Sequence, residues 1–477
     1  MADEFDANSK RFLVWLSENG SWVSASIDLV DLRQRSAGRG VVATKDIAED
    51  EALFSIPREL VLLPTNSNLS PIIFEAVEND PWLSLIITML HEYALGPDSR
   101  WSHYFGVLPS SFDTPMFWTD GELAELQASP LTKKLGKAQA DETFRVKLVP
   151  IVKEQLPTSS FFKDDAEILA LSHRMASTIM AYAFDIEPPV QEVDDEGFVS
   201  DEDEEALPKG MVPMADMLNA DAHRNNARLF YEDDKLVMKS IQPIKAGDEI
   251  FNDYGELPRS DLLRRYGYVT SNYKQYDVIE IPSHTIFTSW CELFEVADLE
   301  ERVAYLEEHD AIDDAFDLSH PDPALTQPSE RFLPMMSTEL RMLISALALS
   351  TEEFASLKVQ NKLPKQNAPP SKIISKTMAE MLKSSVNAVS AKYSTSLSED
   401  RKLQEEGVFK DSIRKSMALE VRVGEKEILE VAAATLQEII DDNTNQEDNG
   451  MKDQGQKQGE ETTEGEGKPS NKRRKLK

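Results

Sequence analysis

Apolar positions change their spacing several times along the chain, and each change predicts a different kind of element. Residues 5–19 place several apolar side chains at near-helical spacing and end at Gly20, which predicts a short amphipathic helix. Apolar and polar residues then alternate over residues 41–54 and stop at Pro57, as in short strands. Residues 1–70 are therefore expected to form a leading helix and the first part of a β-rich domain.

A helical period replaces this alternation in the next part of the chain. Apolar side chains from Trp82 to Tyr93 fall on one face of a predicted helix, and residues 168–184 form a second apolar helix. Residues 101–118 lie between them and are rich in aromatic residues, which we expect in the core. These patterns predict a helical insert over residues 71–208. Its last part, residues 185–208, is acidic and predicts a disordered loop.

Strand-like alternation returns after the insert and then gives way to helices. Residues 228–231 and 235–241 flank an acidic turn, which predicts a β-hairpin within a second β-rich segment, residues 209–270. Residues 271–440 are predicted to form a helical domain. Its helical patterns cover residues 289–308, 329–349, 371–392 and 428–440. Residues 441–477 are almost without apolar side chains, and we expect a disordered tail there.

Composition narrows the class of protein. A length of 477 residues with 41% hydrophobic content suits two or three globular domains. The single cysteine, Cys291, rules out an internal disulfide framework and a Cys-rich zinc cluster, which favours a reducing compartment, and we assign Cys291 no role. The seven histidines show no metal-ligand spacing, so no metal site is expected. The chain lacks a long uncharged apolar run and a signal-like start, so neither membrane insertion nor secretion is expected.

Charge narrows the class of partner. The formal net charge of −34 repels phosphate backbones, so we expect no direct binding of nucleic acid and favour a basic protein as partner. The chain ends in a basic cluster, Lys472 to Lys477, which follows a long acidic region. This cluster resembles a nuclear-import signal read by importin, which predicts a nuclear protein. A solvated run of charge is the alternative interpretation.

Polar residues with a chemical meaning follow two short apolar segments. Residues 211–218 are almost entirely apolar and lead to Asn219. The apolar pair Ile250 and Phe251 leads in the same way to the polar group that ends at Tyr254. Hydrogen-bonding side chains thus stand where an ordinary core would continue with apolar ones. We interpret these two segments as parts of a reaction centre.

Together with a Gly-x-Gly segment at Gly38 to Gly40, these residues resemble the SET-domain protein lysine methyltransferases. In that family a Gly-x-Gly segment opens the domain, and an Asn-His and a Tyr-Gly dipeptide close it. The corresponding dipeptides here are Asn219-Ala220 and Tyr254-Gly255. Ala220 replaces the family's histidine, so only contacts made through the backbone at this position are expected to remain.

Within the family, the chain is similar to the branch of the Rubisco large-subunit methyltransferase and the fungal ribosomal-protein lysine methyltransferases. That resemblance implies an α+β fold, in which a β-rich SET domain is interrupted by a helical insert. It also implies an all-α C-terminal substrate-binding domain after the SET domain. S-adenosyl-L-methionine is the implied cofactor.

The resemblance also implies roles for individual residues. Tyr254 is the implied catalytic residue. The implied cofactor-binding residues are Ala37, Gly38, Arg39, Tyr182, Asn219, Ala220, Tyr254 and Tyr266. The expected substrate-binding residues are Tyr266, Phe251 and Asp216. Two alternatives remain open from the residues alone: Tyr182 and Tyr266 could be core aromatics, and Asp216 could brace its own segment.

Lysine methylation needs a neutral amine aligned with the methyl group of a sulfonium donor. A lysine has a reference pKa of about 10.4, and a narrow desolvated channel beside a positive charge lowers that pKa. A tyrosine hydroxyl can then direct the amine without adding a full charge. We predict a monomeric S-adenosylmethionine-dependent protein-lysine N-methyltransferase that adds one methyl group to a basic ribosomal protein. The alternatives are a histone or nuclear-factor methyltransferase and a catalytically silent SET-fold binding module, which Ala220 would suit.

Overall fold

The computed structural model describes residues 4–35, 37–188, 207–293, 299–364 and 374–461. The chain divides into two compact units. The first unit comprises Met1–Leu126, Leu131–Tyr276 and Ser412–Ala418, and the second comprises Gln127–Pro130, Asp277–Asp411 and Leu419–Lys477. Each unit has an apolar core of its own. The predicted acidic loop lies largely outside the described residues, and the basic cluster at 472–477 lies wholly outside them.

Helices α1 to α18 are numbered in chain order within the described residues. They span Glu4–Glu18, Ile72–Glu75, Pro81–Leu95, Ser102–Phe105, Asp120–Leu123, Leu131–Lys134, Lys137–Thr143, Val149–Glu154, Asp165–Tyr182, Arg259–Tyr266, Ser283–Leu293, Leu299–Glu307, Pro328–Phe332, Thr338–Ala348, Thr351–Val359, Lys376–Ser390, Leu397–Glu405 and Ile413–Glu461. Strands β1 to β11 span Trp22–Val23, Ile27–Asp31, Arg39–Ala43, Ala52–Pro57, Ala183–Asp185, Lys209–Met211, Ala227–Tyr231, Lys235–Ser240, Glu249–Ile250, Val278–Pro282 and Ala315–Ser319. Among the described residues, no helix combines the length and the hydropathy that a membrane crossing needs.

Small antiparallel sheets form the β-rich part of the first unit. Their strand orders are β1-β4-β8-β7, β2-β3-β9 and β5-β6. Strands β7 and β8 form the predicted hairpin, with Tyr231 opposite Leu236. In the second of these sheets, Val41 of β3 lies opposite Leu29 of β2 and opposite Ile250 of β9. The pairing of β3 with β9 therefore brings an early segment of the chain beside the residues that precede Tyr254. Strands β1 and β2 were not predicted. Strand β1 has two residues, too few to show a period, whereas β2 has five and alternates, with Ile27 and Leu29 buried.

Two long helices form the core of the insert, as the apolar spacing predicted. Asp80 caps α3 by accepting a hydrogen bond from the Leu83 backbone N–H, and Asp164 caps α9 in the same way. The apolar faces of α3 and α9 are buried in the core of the first unit. Helix α9 ends at Tyr182, and the chain enters β5 at the next residue. Tyr182 therefore lies at the junction between the last turn of α9 and the first residue of β5.

The second unit is mostly helical, which confirms the helical character predicted for the C-terminal region. The expectation of an all-α region needs one correction, because β10 and β11 form an antiparallel pair with Val278 opposite Ser319. Buried Ile279 and Ile281 alternate with less buried neighbours, and this period of two is the physical reason for a strand. The sequence showed only a mixed pattern in this stretch.

The last helix differs from the prediction at both ends. Helix α18 spans Ile413–Glu461, whereas the sequence predicted a helix over 428–440 and disorder from residue 441. No proline interrupts this range, and many of its polar residues are Gln, Glu and Lys, which favour helices. A stretch can therefore lack apolar side chains and still continue a helix that has already formed.

The start of α18 belongs to the first unit, where Arg414 binds a loop of the insert. Its Nε donates to Asp113 Oδ1 at 2.9 Å, and its Nη1 donates to the Phe117 carbonyl oxygen at 3.0 Å and to Glu122 Oε2 at 3.3 Å. One half-buried guanidinium thus satisfies two carboxylates and two backbone carbonyls, the second being that of Phe112. Arg414 thus holds the loop of residues 112–118 in place by hydrogen bonds, and we call this loop the anchor loop.

We expect Arg414→Met to lower the free energy of unfolding by about 2 to 3 kcal/mol, because it leaves a charged hydrogen-bond network without its donor. The matched control is Arg401→Met, which breaks the more exposed ion pair with Glu427. That control should cost less than about 1 kcal/mol. Urea unfolding at an unchanged denaturant slope measures both values. Equal losses in the two variants would contradict the special role of Arg414.

Candidate functional site

Three segments that the sequence singled out meet at Asn219. Its Nδ2 donates to the Arg39 carbonyl oxygen at 3.2 Å and to Glu249 Oε1 at 2.7 Å. Its backbone carbonyl accepts a hydrogen bond from the Asn252 N–H at 2.8 Å. The next residue, Ala220, forms a parallel bridge with Asn252. The backbone at Ala220 therefore keeps its place, whatever side chain it carries.

The two glycines of the Gly-x-Gly segment have different structural functions. A Cβ atom on Gly40 would lie 2.4 Å from Leu32 Cδ1 and 3.0 Å from Asn219 Nδ2, so any other residue would displace these side chains. Gly38 has a φ of +63°, and a Cβ there would meet nothing within 4 Å. Its carbonyl accepts a hydrogen bond from the Leu32 N–H, and Ala37 donates to the Leu32 carbonyl. Gly40 thus permits close packing, whereas Ala37 and Gly38 border open space.

Arg39 contributes to this region through its backbone. Its guanidinium points away from Asn219: Nη1 donates to the Val107 carbonyl oxygen at 2.9 Å and Nε donates to Ser9 Oγ at 3.0 Å. The Cζ atom lies 3.7 Å from the centroid of the Phe5 ring, a cation–π contact. The side chain therefore joins β3 to α1, and the carbonyl group of Arg39 is the part that faces Asn219.

Tyr254 lies in a cluster of aromatic rings. Its ring stacks on that of Tyr266, with centroids 4.2 Å apart and an interplanar angle of 7°. The ring of Tyr268 lies 6.3 Å from that of Tyr266 at an angle of 52°. The backbone before the cluster is held by Asp253, whose Oδ1 accepts a hydrogen bond from the Gly255 N–H at 2.7 Å. Two predicted residues, Tyr254 and Tyr266, are thus brought together, and Tyr268 is an addition.

Tyr266 is the last residue of α10 and is fixed by the turn that follows. Gly267 adopts a φ of +77° and ends the helix, with its N–H bonded to the Leu262 and Leu263 carbonyls. A Cβ on Gly267 would lie 2.8 Å from the Thr114 backbone nitrogen. Thr114 belongs to the anchor loop, so the loop that Arg414 fastens also forms the surface on which the end of α10 rests.

Asp216 is buried among these rings, with 6% of its surface exposed. Its Oδ2 accepts a hydrogen bond from the Tyr104 hydroxyl. Its Oδ1 has no hydrogen-bond partner among the described residues. Burial raises the pKa of the Asp216 carboxyl to about 7, against the opposing effect of the Tyr104 hydrogen bond. A buried carboxylate with one unpaired oxygen is unusual, because burying charge costs free energy unless it is compensated.

The tyrosines of the cluster remain neutral near pH 7. Burial raises the pKa of Tyr182 and of Tyr266 to about 12, and it raises the pKa of Tyr254 well above its ordinary value. The negative charge of nearby Asp216 adds to the upward shift for Tyr182 and Tyr254. These phenols can therefore donate or accept hydrogen bonds without acting as strong bases. Asp216 is the group in this cluster that titrates near neutrality.

Phe251 faces a different part of the unit. Arg224 Cζ lies 4.8 Å from the centroid of the Phe251 ring. Both residues line a cavity of about 680 Å³, together with Arg35, His223, Asn226, Gln242, Pro243, Ile244, Gly247, Asp248 and Glu249. The ring contact that Phe251 makes is thus with Arg224, and the substrate role predicted for Phe251 stays a prediction.

The sequence did not predict Tyr104 and Tyr268 as parts of the site. Tyr104 lies in the aromatic stretch that was interpreted as core, and it is buried. Tyr268 comes two residues after Tyr266, and burial raises its pKa as it does for its neighbour. The signal available in the sequence was Gly267 between the two tyrosines. Glycine readily adopts the positive φ with which the chain turns back toward the cluster here.

The residues present fit a ligand that carries positive charge beside a polar group. A Cβ on Gly38 would meet nothing within 4 Å, and the buried Oδ1 of Asp216 has no hydrogen-bond partner among the described residues. Tyr254, whose ring stacks on that of Tyr266, lies near that carboxylate. Aromatic faces and an anion both attract cations, and the sulfonium and the ammonium group of a methyl donor or a lysine are cations.

Comparison with known proteins identifies two matching family models. The model "SET domain" matches residues 38–255, and the model "Rubisco LSMT substrate-binding" matches residues 298–429. The chain is 36% identical to ribosomal lysine N-methyltransferase 4 of Saccharomyces cerevisiae over 312 residues, which are 61% of this chain and 62% of that protein. It is 27% identical to N-lysine methyltransferase setd6 of Xenopus laevis, over 88% of this chain and 93% of that protein.

Solved structures share the fold. A crystal structure of the SET domain of LSMT with methyllysine and AdoHcy bound matches with a TM-score of 0.64 and 20% identity, over 91% of this chain and 92% of that one. Rubisco LSMT bound to AdoMet matches with a TM-score of 0.62 and 21% identity, over the same shares. The predicted α+β fold class and family are thus confirmed. The chain thus carries a SET domain over residues 38–255 and a Rubisco LSMT substrate-binding domain over residues 298–429, and it is similar to lysine N-methyltransferases.

Proposed function

We propose that this methyltransferase uses S-adenosylmethionine to methylate a lysine of a basic ribosomal protein. Two observations carry the proposal: Asn219 binds the Arg39 carbonyl of the Gly-x-Gly segment, and Tyr254 lies near the buried Asp216, whose Oδ1 has no hydrogen-bond partner among the described residues. The name of the yeast relative supports a ribosomal substrate. The net charge of −34 also favours a Lys-rich partner.

The cofactor supplies an electrophilic methyl group when it is bound. We propose that Ala37, Gly38, Arg39, Asn219 and Ala220 hold it, chiefly through backbone groups. The Nδ2 hydrogens of Asn219 are already used for Arg39 and Glu249, so its Oδ1 is the side-chain atom left to accept a hydrogen bond from a ligand. Tyr182 and Tyr266 add aromatic surface that excludes water from the site.

Asp216 and Tyr254 prepare the substrate amine. A lysine arrives as an ammonium ion, since its reference pKa is about 10.4. We propose that Asp216 Oδ1 accepts one N–H of that ion. In a site with little water the proton can move from lysine Nζ to Oδ1, because a neutral amine and a neutral carboxyl need less hydration than an ion pair. The neutral hydroxyl of Tyr254 then directs the nitrogen lone pair.

We propose that one methyl group is added. The stacked rings of Tyr254 and Tyr266, 4.2 Å apart, narrow the space in which a substituted amine could turn. The mass of the product distinguishes one methyl group from two or three.

We expect the purified protein to transfer radiolabelled methyl from S-adenosylmethionine into a ribosomal-protein fraction. Tyr254→Phe should lower turnover by roughly 10²- to 10³-fold, because it removes one directed hydrogen bond in the transition state. Cofactor affinity, measured by calorimetry, should stay nearly constant.

The matched control for this experiment is Tyr231→Phe, which removes a tyrosine hydroxyl that donates to the Asp185 carbonyl oxygen. Its turnover should equal that of the wild type. Full activity of Tyr254→Phe would contradict the catalytic role of that tyrosine. Binding of the cofactor without any methyl transfer to ribosomal proteins would direct the search to histones and nuclear factors, and the absence of both would favour a silent binding module.

We also propose that the protein enters the nucleus through the basic cluster at residues 472–477. Deleting residues 468–477 should move a fluorescently tagged protein from the nucleus to the cytoplasm, because importin reads exposed basic peptides. The control is deletion of the ten preceding residues, 458–467, which carry no lysine or arginine. An unchanged distribution after the first deletion would refute the import role.

A further inference from the structure

Tyr104 is a buried tyrosine of the insert that connects the N-terminal helix to the site. It lies in α4, and its side chain is fully buried. Its ring stacks on Phe12 with centroids 6.0 Å apart, and on Trp15 at 6.4 Å with an interplanar angle of 3°. Both of these rings belong to α1 and are buried in the same core. The position of Tyr104 is therefore fixed by packing on a neighbouring helix.

The hydroxyl of this fixed ring donates to Asp216 Oδ2. Burial, followed by the charge of Asp216, raises the pKa of Tyr104 well above its ordinary value. The proton consequently stays on Tyr104, and the tyrosine is the donor whenever Asp216 is a carboxylate. This hydrogen bond thus fixes Oδ2, while Oδ1 has no side-chain hydrogen-bond partner among the described residues.

Few other groups act on Asp216. The titratable side chains that face it are Tyr104 of α4, Tyr182 at the end of α9 and Tyr254 after β9. The backbone N–H groups of Asp216 itself and of Met214 also interact with the carboxylate and lower its pKa. Among the described residues, no lysine or arginine is close enough to form an ion pair with it. Tyr104 is therefore the side chain whose hydrogen bond opposes the effect of burial.

We propose that Tyr104 is a positioning residue for lysine methylation, which holds Oδ2 of Asp216 so that Oδ1 faces the substrate amine and which stabilises the carboxylate form. This inference rests on the proposed function, in which Asp216 binds the ammonium group. Under this proposal the helical insert contributes Tyr104 to the positioning of Asp216, in addition to its packing in the core. The contact of Tyr104 with Phe12 and Trp15 extends this dependence to the N-terminal helix.

The sign of the effect follows from the hydrogen bond. A donor to the charged form of a carboxyl lowers its pKa, so its removal raises the pKa of Asp216 above the present value of about 7. A protonated Asp216 cannot accept an N–H from the ammonium at that oxygen. In wild type the KM for the substrate should therefore rise as the pH falls through about 7. Without the Tyr104 hydroxyl this rise should begin at higher pH.

The test uses the full chain and compares wild type with Tyr104→Phe over the range from about pH 6 to about pH 9. In the variant, the acid limb of kcat/KM should move up by at least about one pH unit, and KM near neutrality should increase about tenfold. At the alkaline end KM should return toward the wild-type value. A loss of packing alone would raise KM equally at every pH.

The matched control is Tyr305→Phe, which removes another part-buried tyrosine hydroxyl, one that donates to the Lys362 carbonyl oxygen in the second unit. Its pH profile should equal that of the wild type. An acid limb that stays in place in Tyr104→Phe would overturn the proposal.

A second measurement determines the titration midpoint of Asp216 and does not require enzymatic activity. Isotope-edited NMR of aspartate carboxyl carbons, with Asp216→Asn to identify the signal, gives the titration midpoint directly. We expect a higher midpoint in Tyr104→Phe than in wild type, and equal midpoints would refute the inference. If wild type transfers no methyl group, the proposed function fails, while this titration still decides whether Tyr104 controls Asp216.

A variant that preserves packing covers the case in which Tyr104→Phe does not fold. Replacing Tyr104 by fluorotyrosine keeps the ring and strengthens the hydroxyl as a donor. The midpoint of Asp216 should then move to lower pH, opposite to the change in Tyr104→Phe. A midpoint that does not respond to the strength of the donor would also overturn the proposal.

Discussion

The hydrogen bond from Asn219 Nδ2 to the Arg39 carbonyl oxygen joins residues 180 positions apart, and the site depends on this junction. The same amide binds Glu249, a residue of β9 that lies opposite Val42 of β3. The helical insert must therefore fold back so that its two flanking segments meet. Gly40 makes the close approach possible, since any side chain there would collide with Leu32. A small β-rich core thus holds a site whose parts are distant in sequence.

Burial raises the pKa of both kinds of acid in the cluster, with opposite consequences near pH 7. It raises the pKa of the phenols away from neutrality, so Tyr182 and Tyr254 become permanent neutral hydrogen-bonding groups. It raises the pKa of the Asp216 carboxyl toward neutrality, so that group becomes sensitive to its neighbours. Met214, two residues earlier, adopts a φ of +76°, a conformation that costs a side chain about 1 to 3 kcal/mol. The surrounding core tolerates this strain and fixes the direction of the segment that carries Asp216.

Much of the fold and part of the site could be predicted from the sequence. Helices α1 and α9 and the β7–β8 hairpin follow from strong periodicity, and Asn219 and Tyr254 follow from polar residues in an apolar context. The two-stranded β10–β11 sheet was missed because each strand is short and lies in a mixed pattern.

The remaining part of the site could not be predicted, for a different physical reason. A buried aromatic residue has the same spacing whether its hydroxyl reaches a carboxylate or a backbone carbonyl. Tyr104 therefore looked like a core residue, although its hydroxyl bonds Asp216. The direction of Phe251 was equally hidden, because β9 has two residues and shows no alternation. The spacing of residues in a sequence predicts which side chains are buried. It does not predict the hydrogen-bond partners of their polar atoms.

The seven residues Ser412–Ala418 have a consequence for how the protein is made. Translation runs from the N-terminus, so the nascent first unit leaves the ribosome long before its last segment is synthesised. During that interval Asp113 and Glu122 lack the guanidinium that later binds both of them. Residues 277–411, which belong to the second unit, are made in between. The anchor loop beneath α10, which supports the end of the helix that carries Tyr266, is therefore completed only after residues 277–411 have been synthesised.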